Sequence, residues 1–509
     1  MSGIGKGLLS ASIGRLLKSC GYSVTLTKID PYMNVDAGTL SPFEHGEVFV
    51  LRDGGEVDLD FGHYERFTDI PLAKSHNITT GTVFEKVIEG ERKGEYLGKT
   101  IQMIPHVTDE IKKRIRENSQ GVDISIIEVG GTTGDIEGMT FLEAIRQLKK
   151  EEDLINIHLT LIPILGIDQK TKPTQHSVIE LRRVGIMPEI LVGRCSEKLT
   201  EKTRKKLALF CSVEERAVIS DHDLKNIYHL PLTLRDEGIH RIIQEYLGLD
   251  VREPNLSRWK AFVNNYQSGR KISVGIVGKY SRGDTYLSIQ EALAHAGVAV
   301  GVAPEIRWID SEQVKEHPGT LEGVDCMITP GGFGTRGIEG KIKAIQYARE
   351  NKIPWLGLCL GFQLAVVEFA RNVAGIAGAN STEMEPDTRH PVIIPHWEAG
   401  QNIMGGTMRL GDKEVILEPG TLIHKIYGRG IIYERHRHRY GLNPKYLDRL
   451  AEAGMVFSAV CPEDKTVEAL EIPGQYFIGI QYHPEFLSRP TRPHPLFAGL
   501  LEAAKNKEA

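Results

Sequence analysis

The chain has 509 residues, room for two to four domains at roughly 100–200 residues each. Its hydrophobic share of 41% and charged share of 25% are ordinary for a globular protein, and a net charge of −5 argues against a global attraction to nucleic acid or anionic membranes. The 6 cysteines (Cys20, Cys195, Cys211, Cys326, Cys359 and Cys461) show no C-x-x-C spacing, which argues against a zinc site or a disulfide framework and for a reducing compartment. No charged n-region with an apolar core opens the chain, and no apolar run reaches the ~18 residues of a spanning helix, so a cytoplasmic protein is expected. The unusual count is 53 glycines, which gather in short motifs and point to tight turns and close backbone approach to ligands.

The chain opens on Ser2-Gly3-Ile4-Gly5-Lys6-Gly7, a lysine-bearing glycine turn like the end of a phosphate-binding loop, with Gly7 where a Walker motif has Ser/Thr. A flexible basic N-terminus is the competing reading. Val24 to Ile29 reads as a strand and leads into Lys28-Ile29-Asp30-Pro31-Tyr32. Glu44-His45-Gly46-Glu47-Val48-Phe49-Val50 and Asp58-Leu59-Asp60-Phe61-Gly62-His63-Tyr64 follow. Ile124 to Val129 is a second strand, with Glu128 near its C-terminal end and Gly130-Gly131-Thr132-Thr133-Gly134-Asp135-Ile136-Glu137 beyond it. Open α/β sheets bind ligands at that end. Asp60 and Glu128 are hard oxygen ligands suited to Mg²⁺ with nucleotide phosphates, though carboxylates in turns are more often simply solvated. Phe141 to Lys150 is helical by spacing, and Ile157 to Pro163 and Ile190 to Arg194 are strands. Lys170-Thr171-Lys172-Pro173-Thr174-Gln175 is a basic loop opening a helix, suited to a triphosphate or simply exposed. Strands alternating with helices predict a doubly wound parallel sheet.

The stretch from Asp250 to Lys271 is polar and rich in Pro, Asn and Gly, and reads as a linker holding a short helix near Trp259. The expected domains are therefore 1–250, a linker at 251–271, and 272–509, the last a second α/β sheet that starts at Ile272 to Gly278. Asp325 to Thr329 is a strand running into Pro330-Gly331-Gly332-Phe333-Gly334, whose backbone N–H groups could form an oxyanion hole. Pro354 to Gln363 carries Gly357-Leu358-Cys359-Leu360-Gly361 between a strand and a helix, a nucleophile elbow with cysteine in place of serine. A helix N-terminus favours the thiolate; a buried structural cysteine is the alternative. Gln481-Tyr482-His483-Pro484-Glu485 offers a base, His483, and its orienter, Glu485.

These three motifs in this order resemble a class I glutamine amidotransferase domain over about Lys271 to the end. The resemblance implies that Cys359 attacks the glutamine amide, with His483 and Glu485 completing a triad. It also implies glutamine contacts from Gly332, Leu360, Gln363, Glu383 and Arg439. The first-half motifs ahead of such a domain resemble the CTP synthase family almost end to end. That resemblance implies amination of UTP to CTP, in which ATP phosphorylates the 4-oxygen of UTP and ammonia displaces the phosphate. Ser2, Gly3, Ile4, Gly5, Lys6, Gly7, Lys28 and Asp60 would serve ATP, and Asp60 and Glu128 would hold Mg²⁺. Lys170, Thr171, Lys172, Pro173, Thr174, Gln175 and Lys206 would bind UTP, while Asp135, Ile136 and Glu137 would meet CTP, the feedback inhibitor. His45 would gate the ammonia passage, GTP would activate, and the subunits would form a homotetramer.

Three departures stand out. Family members carry a first strand and a Gly-Gly-Val-Val-type turn before the position of Ser2; a misassigned start site is the preferred explanation because the downstream nucleotide motifs are intact, and only if the chain truly starts here is the sheet expected to lose a strand. Thr133 stands where valine is common, and Lys149 to Gln169 and Pro391 to Gly405 are short. Two other readings stay open: a P-loop amidotransferase acting on a carboxylate, and a non-catalytic assembly subunit.

Overall fold

A computed structural model describes residues 3–41, 45–279, 283–396 and 408–507; Ser2, Glu44 and the end of the short stretch from Pro391 to Gly405 fall outside them. The chain divides into two compact units, Met1–Ala37 with Asp60–Val263, and Gly38–Leu59 with Asn264–Ala509.

In the first unit, Gly3 (φ 71°) and Gly5 (φ 95°) turn the chain into helix α1 (Lys6–Ser19), a left-handed path that glycine takes without a Cβ penalty. Strand β1 (Val24–Asp30) is buried along its whole length, as a central parallel strand should be. Helix α2 (Leu59–Thr68) and strand β2 (Asn77–Thr79) follow, then β3 (Ile124–Val129) and α3 (Met139–Leu148). Next come β4 (Ile157–Leu161), α4 (Lys172–Arg183), β5 (Ile190–Cys195), α5 (Glu201–Cys211) and β6 (Val218–His222). The strands form two parallel three-stranded sheets, ordered β2-β1-β3 and β6-β5-β4. Between the facing edges of β3 and β4 lies a cavity of about 710 Å³, lined also by Leu9, Ile13 and Leu17 of α1. Among the described residues no strand joins the two sheets. The predicted helix near Trp259 is α6 (Ser257–Asn265); the Trp259 indole donates to the Tyr228 carbonyl at 2.8 Å, inside an aromatic cluster with Phe67.

The second unit is built on a nine-stranded sheet. Its parallel half holds β7 (Arg270–Gly278), β8 (Val302–Asp310), β9 (Cys326–Thr329), β10 (Trp355–Leu358) and the late strand Phe477–Ile480. Helices α7 (Leu287–Val300), α8 (Ile338–Glu350) and α9 (Leu360–Asn372) pack in its two hydrophobic cores. An antiparallel extension includes Arg409–Leu417 and Ile431–His438. The segment Gly38–Leu59, counted with the first half on sequence grounds, packs in this unit. Its anchors are long-range: Arg435 donates to the Val50 carbonyl at 2.6 Å, Arg437 pairs with Glu56 at 2.8 Å, and the Ser288 amide donates to Glu47 at 3.1 Å. Phe49 is fully buried against Phe486, with their ring centroids 4.9 Å apart.

Candidate active sites

In the first unit, parallel pairing sets Lys28 of β1 beside Glu128 of β3, at the C-terminal ends of both strands. The period of two puts Asp30 on the same face as Lys28. Lys28 Nζ lies 2.6 Å from Asp60 and 3.4 Å from Asp30. Lys6, one residue into α1's first turn, donates to the Gly131 carbonyl at 2.8 Å. Gly7 must be glycine, because a Cβ there would lie 1.9 Å from the Asp60 carboxylate. Tyr64 sits one turn after Asp60 on α2, and its hydroxyl donates to Glu128. Burial lowers the Lys6 pKa, against the pull of Glu128. Burial raises Asp30 despite Lys28. Burial alone would raise Asp60 as well, but Lys28 beside it holds the carboxyl below its ordinary value. Burial also keeps His63 neutral, its pKa pushed down to about 3.

The structure thus gathers Lys6, Lys28, Asp60 and Glu128, with Asp30 and Tyr64 beside them. This oxygen-rich set with two lysines fits a divalent cation held beside phosphate. The helix-opening loop lies on other elements. Thr171, Lys172, Pro173, Thr174 and Gln175 lead into and open α4, with Thr171, Thr174 and Gln175 buried and Lys172 and Pro173 exposed. Lys170 pairs with Asp168 at 3.1 Å, and with Lys202 and Lys206 it holds that carboxyl below its usual value. Asp135 accepts from the Thr132 amide at 3.1 Å; Ile136 and Glu137 are exposed and line a cavity of about 210 Å³ with Phe84, Val107 and Phe141.

In the second unit, β10 delivers Cys359 at φ 51°, ψ −99°, a strained conformation for a non-glycine residue, immediately before α9. Gly361 lets that turn close: a Cβ there would lie 2.2 Å from the Thr329 carbonyl. The Cys359 thiol donates to the Arg437 carbonyl at 3.5 Å, and its amide donates to Ile480 at 2.8 Å. His483 Nδ1 lies 2.7 Å from Glu485, and its ring stacks on Phe486 at 5.2 Å. Burial would lower His483, but Glu485 and Cys359 outweigh it and raise its pKa to about 10. Gly331 lies against the pair: a Cβ there would come 3.0 Å from His483 Cε1 and 3.5 Å from Cys359 Cβ.

Gly332 (φ 155°) continues the turn, and Leu360 opens α9. The Glu383 carboxylate accepts from the Gly334 amide at 3.0 Å. Arg437 and Arg439 lie over the Phe333 ring at 5.1 and 5.8 Å. Gln363 is turned inward, donating to the Tyr440 carbonyl at 2.9 Å. His45 is exposed on the Gly38–Leu59 segment. The sequence reading missed Arg437, Gln481 (Nε2 3.9 Å from Cys359 Sγ) and buried Lys341. Buried His436, His438 and Glu468 also cluster, but Glu468 is already engaged by the Arg409 guanidinium, which balances its charge, and hydrogen-bonds His436 at 2.9 Å.

Family comparison matches the "CTP synthase N-terminus" over residues 1–249 and "Glutamine amidotransferase class-I" over residues 283–503. A CTP synthase of Thermococcus gammatolerans is 54% identical over 521 residues, covering 100% of this chain and 97% of that protein. One from Archaeoglobus fulgidus is 53% identical over 515 residues, covering 99% and 96%. The glutaminase domain of Trypanosoma brucei CTPS, solved with bound acivicin, is 39% identical, covers 47% of this chain and 95% of that one, and superposes with a TM-score of 0.44.

Proposed function

The chain belongs to the CTP synthase family and is a glutamine-hydrolysing carbon–nitrogen ligase, and from that premise we propose how its two units divide the reaction. The observation that carries the reading is the Cys359–His483–Glu485 constellation in one unit, alongside the lysine–carboxylate cluster of Lys6, Lys28, Asp60 and Glu128 in the other.

In the second unit, Cys359 attacks the carboxamide carbon of glutamine. His483, held by Glu485, returns a proton to the departing ammonia and then draws one from the water that hydrolyses the thioester. Backbone N–H groups of the Gly331–Gly332 turn and of Leu360 stabilise the anionic intermediates. Arg439 takes the α-carboxylate of glutamine and Glu383 its ammonium.

In the first unit, Lys6 and Lys28 bind the phosphates of ATP and neutralise the charge on the transferred phosphoryl group. Asp60 and Glu128 would hold Mg²⁺, which when bound screens the same oxygens. Asp30 and Tyr64 keep Lys28 and Glu128 in place. Lys170, Lys172 and Lys206 bind the triphosphate of UTP, with Thr171, Thr174 and Gln175 shaping the helix start. Phosphorylating the 4-oxygen turns a poor leaving group into a good one, which ammonia then displaces. His45 gates the ammonia passage, and Asp135, Ile136 and Glu137 meet CTP as inhibitor. GTP activation, a homotetramer and a cytoplasmic setting in pyrimidine synthesis rest on the family alone.

The test supplies UTP, ATP and Mg²⁺ with either glutamine or ammonium. CTP should form from both donors. Ammonium-driven amination of a carboxylate, with UTP inert, would favour the P-loop alternative.

A further inference from the structure

Lys341 is fully buried, on the second turn side of α8's start, behind the turn that follows β9. Its Nζ donates to the Pro330 carbonyl at 3.3 Å. A buried lysine is costly unless it is well engaged, and an apolar side chain of similar length would pack there without that cost. Burial, with Lys279 nearby, pushes its pKa down to about 7. The glutaminase mechanism above leaves this residue unused.

The Pro330 carbonyl shares a planar peptide unit with the Gly331 N–H, and in a trans peptide the two point in opposite directions. Fixing the carbonyl on Lys341 therefore fixes the direction of the N–H. On its other side, Gly331 lies against His483 and Cys359, where even a methyl would come 3.0 Å from the imidazole. The Pro330–Gly331 peptide is thus held between the buried Lys341 amine and the catalytic pair. No Cβ at Gly331 or Gly332 helps to set its orientation, and glycine peptides rotate readily.

We propose that Lys341 is a positioning residue for glutamine hydrolysis, holding the Pro330–Gly331 peptide so that a backbone N–H of the glycine turn faces the anionic intermediate on Cys359. The inference rests on Cys359 being the nucleophile. Lys341 touches neither substrate nor thiol; it acts through the peptide, so it affects the transition state rather than substrate binding.

The experiment uses the full chain with Lys341→Met, a near-isosteric apolar replacement. Four quantities are read: kcat and KM for glutamine hydrolysis, the rate of Cys359 alkylation by iodoacetamide, and Tm. Loss or misdirection of one oxyanion donor costs roughly 10²–10³ in kcat, and a fall of that size is expected. KM should stay within about threefold and alkylation within about twofold, because neither needs the oxyanion donor. A kcat within threefold of the parent, or a fall matched by an equal loss of alkylation, would overturn the proposal. If Lys341→Met does not fold, Lys341→Leu, which likewise removes the N–H donor, is read by the same criteria. Cys359→Ala is the control. Glutamine hydrolysis surviving there would remove the nucleophile reading, and the proposal with it, whereas its loss there leaves the Lys341 result to stand alone.

Discussion

Cys359 occupies a backbone conformation that costs on the order of 1–3 kcal/mol and is held by the packing of Gly361 under Thr329. Such strain is tolerated where it presents a nucleophile. Beside it, Glu485 and Cys359 keep His483 protonated up to about pH 10. Because this folded pKa lies above the usual histidine value near 6.5, its stabilisation is complete below about pH 6.5 and is lost as pH rises through about 10. Glu485→Gln removes the main opposing anion. It should move the basic limb of the glutaminase pH profile to lower pH and reduce kcat by about 10²–10⁴-fold; an unmoved limb would count against the ion-pair reading. At this scale the grouping of Cys359, His483 and Glu485 was legible in the sequence, because glycine spacing and the His-Pro-Glu turn are local signals. Asp30 and Tyr64 were readable in principle, one two residues beyond Lys28 on a strand, the other four beyond Asp60 on a helix. Lys341 left no such signal, since a lysine in an amphipathic helix reads as surface until its tertiary neighbours are known.

The elements carry two further expectations. Among the described residues β3 and β4 pair with no strand on the side where they line a cavity of about 710 Å³, so their edge amides should exchange with deuterium faster than those of β1 and β5, which are paired on both sides. Equal protection across all four strands would contradict this pairing. At the start of α1, Gly7→Ala would drive a methyl into Asp60 and unseat its pairing with Lys28. Ammonium-dependent CTP formation should fall about tenfold or more while glutamine hydrolysis stays near the parent rate. The alternation of strands and helices was visible from hydrophobic patterning, with ends differing by a residue or two from those found, as at Arg270–Gly278 and Cys326–Thr329. The placement of Gly38–Leu59 was not visible, because Val50, Glu56 and Glu47 find partners at Arg435, Arg437 and Ser288, hundreds of residues away. No local pattern encodes such contacts.

For the whole molecule, two kinds of chemistry share one chain, and each has a separable signature. The length that allowed up to four domains resolves into two units, and the two family matches, over residues 1–249 and 283–503, fall mostly in one unit each, with Gly38–Leu59 the exception. The measurement that bears most directly on this division compares CTP formation from UTP, ATP and Mg²⁺ in the parent chain and in Cys359→Ala, with glutamine and with ammonium as nitrogen donor. The expected result is that the parent uses both donors, while Cys359→Ala loses glutamine-dependent synthesis by on the order of 10³-fold or more and keeps ammonium-dependent synthesis. Loss of both activities in Cys359→Ala, or retention of both, would contradict it.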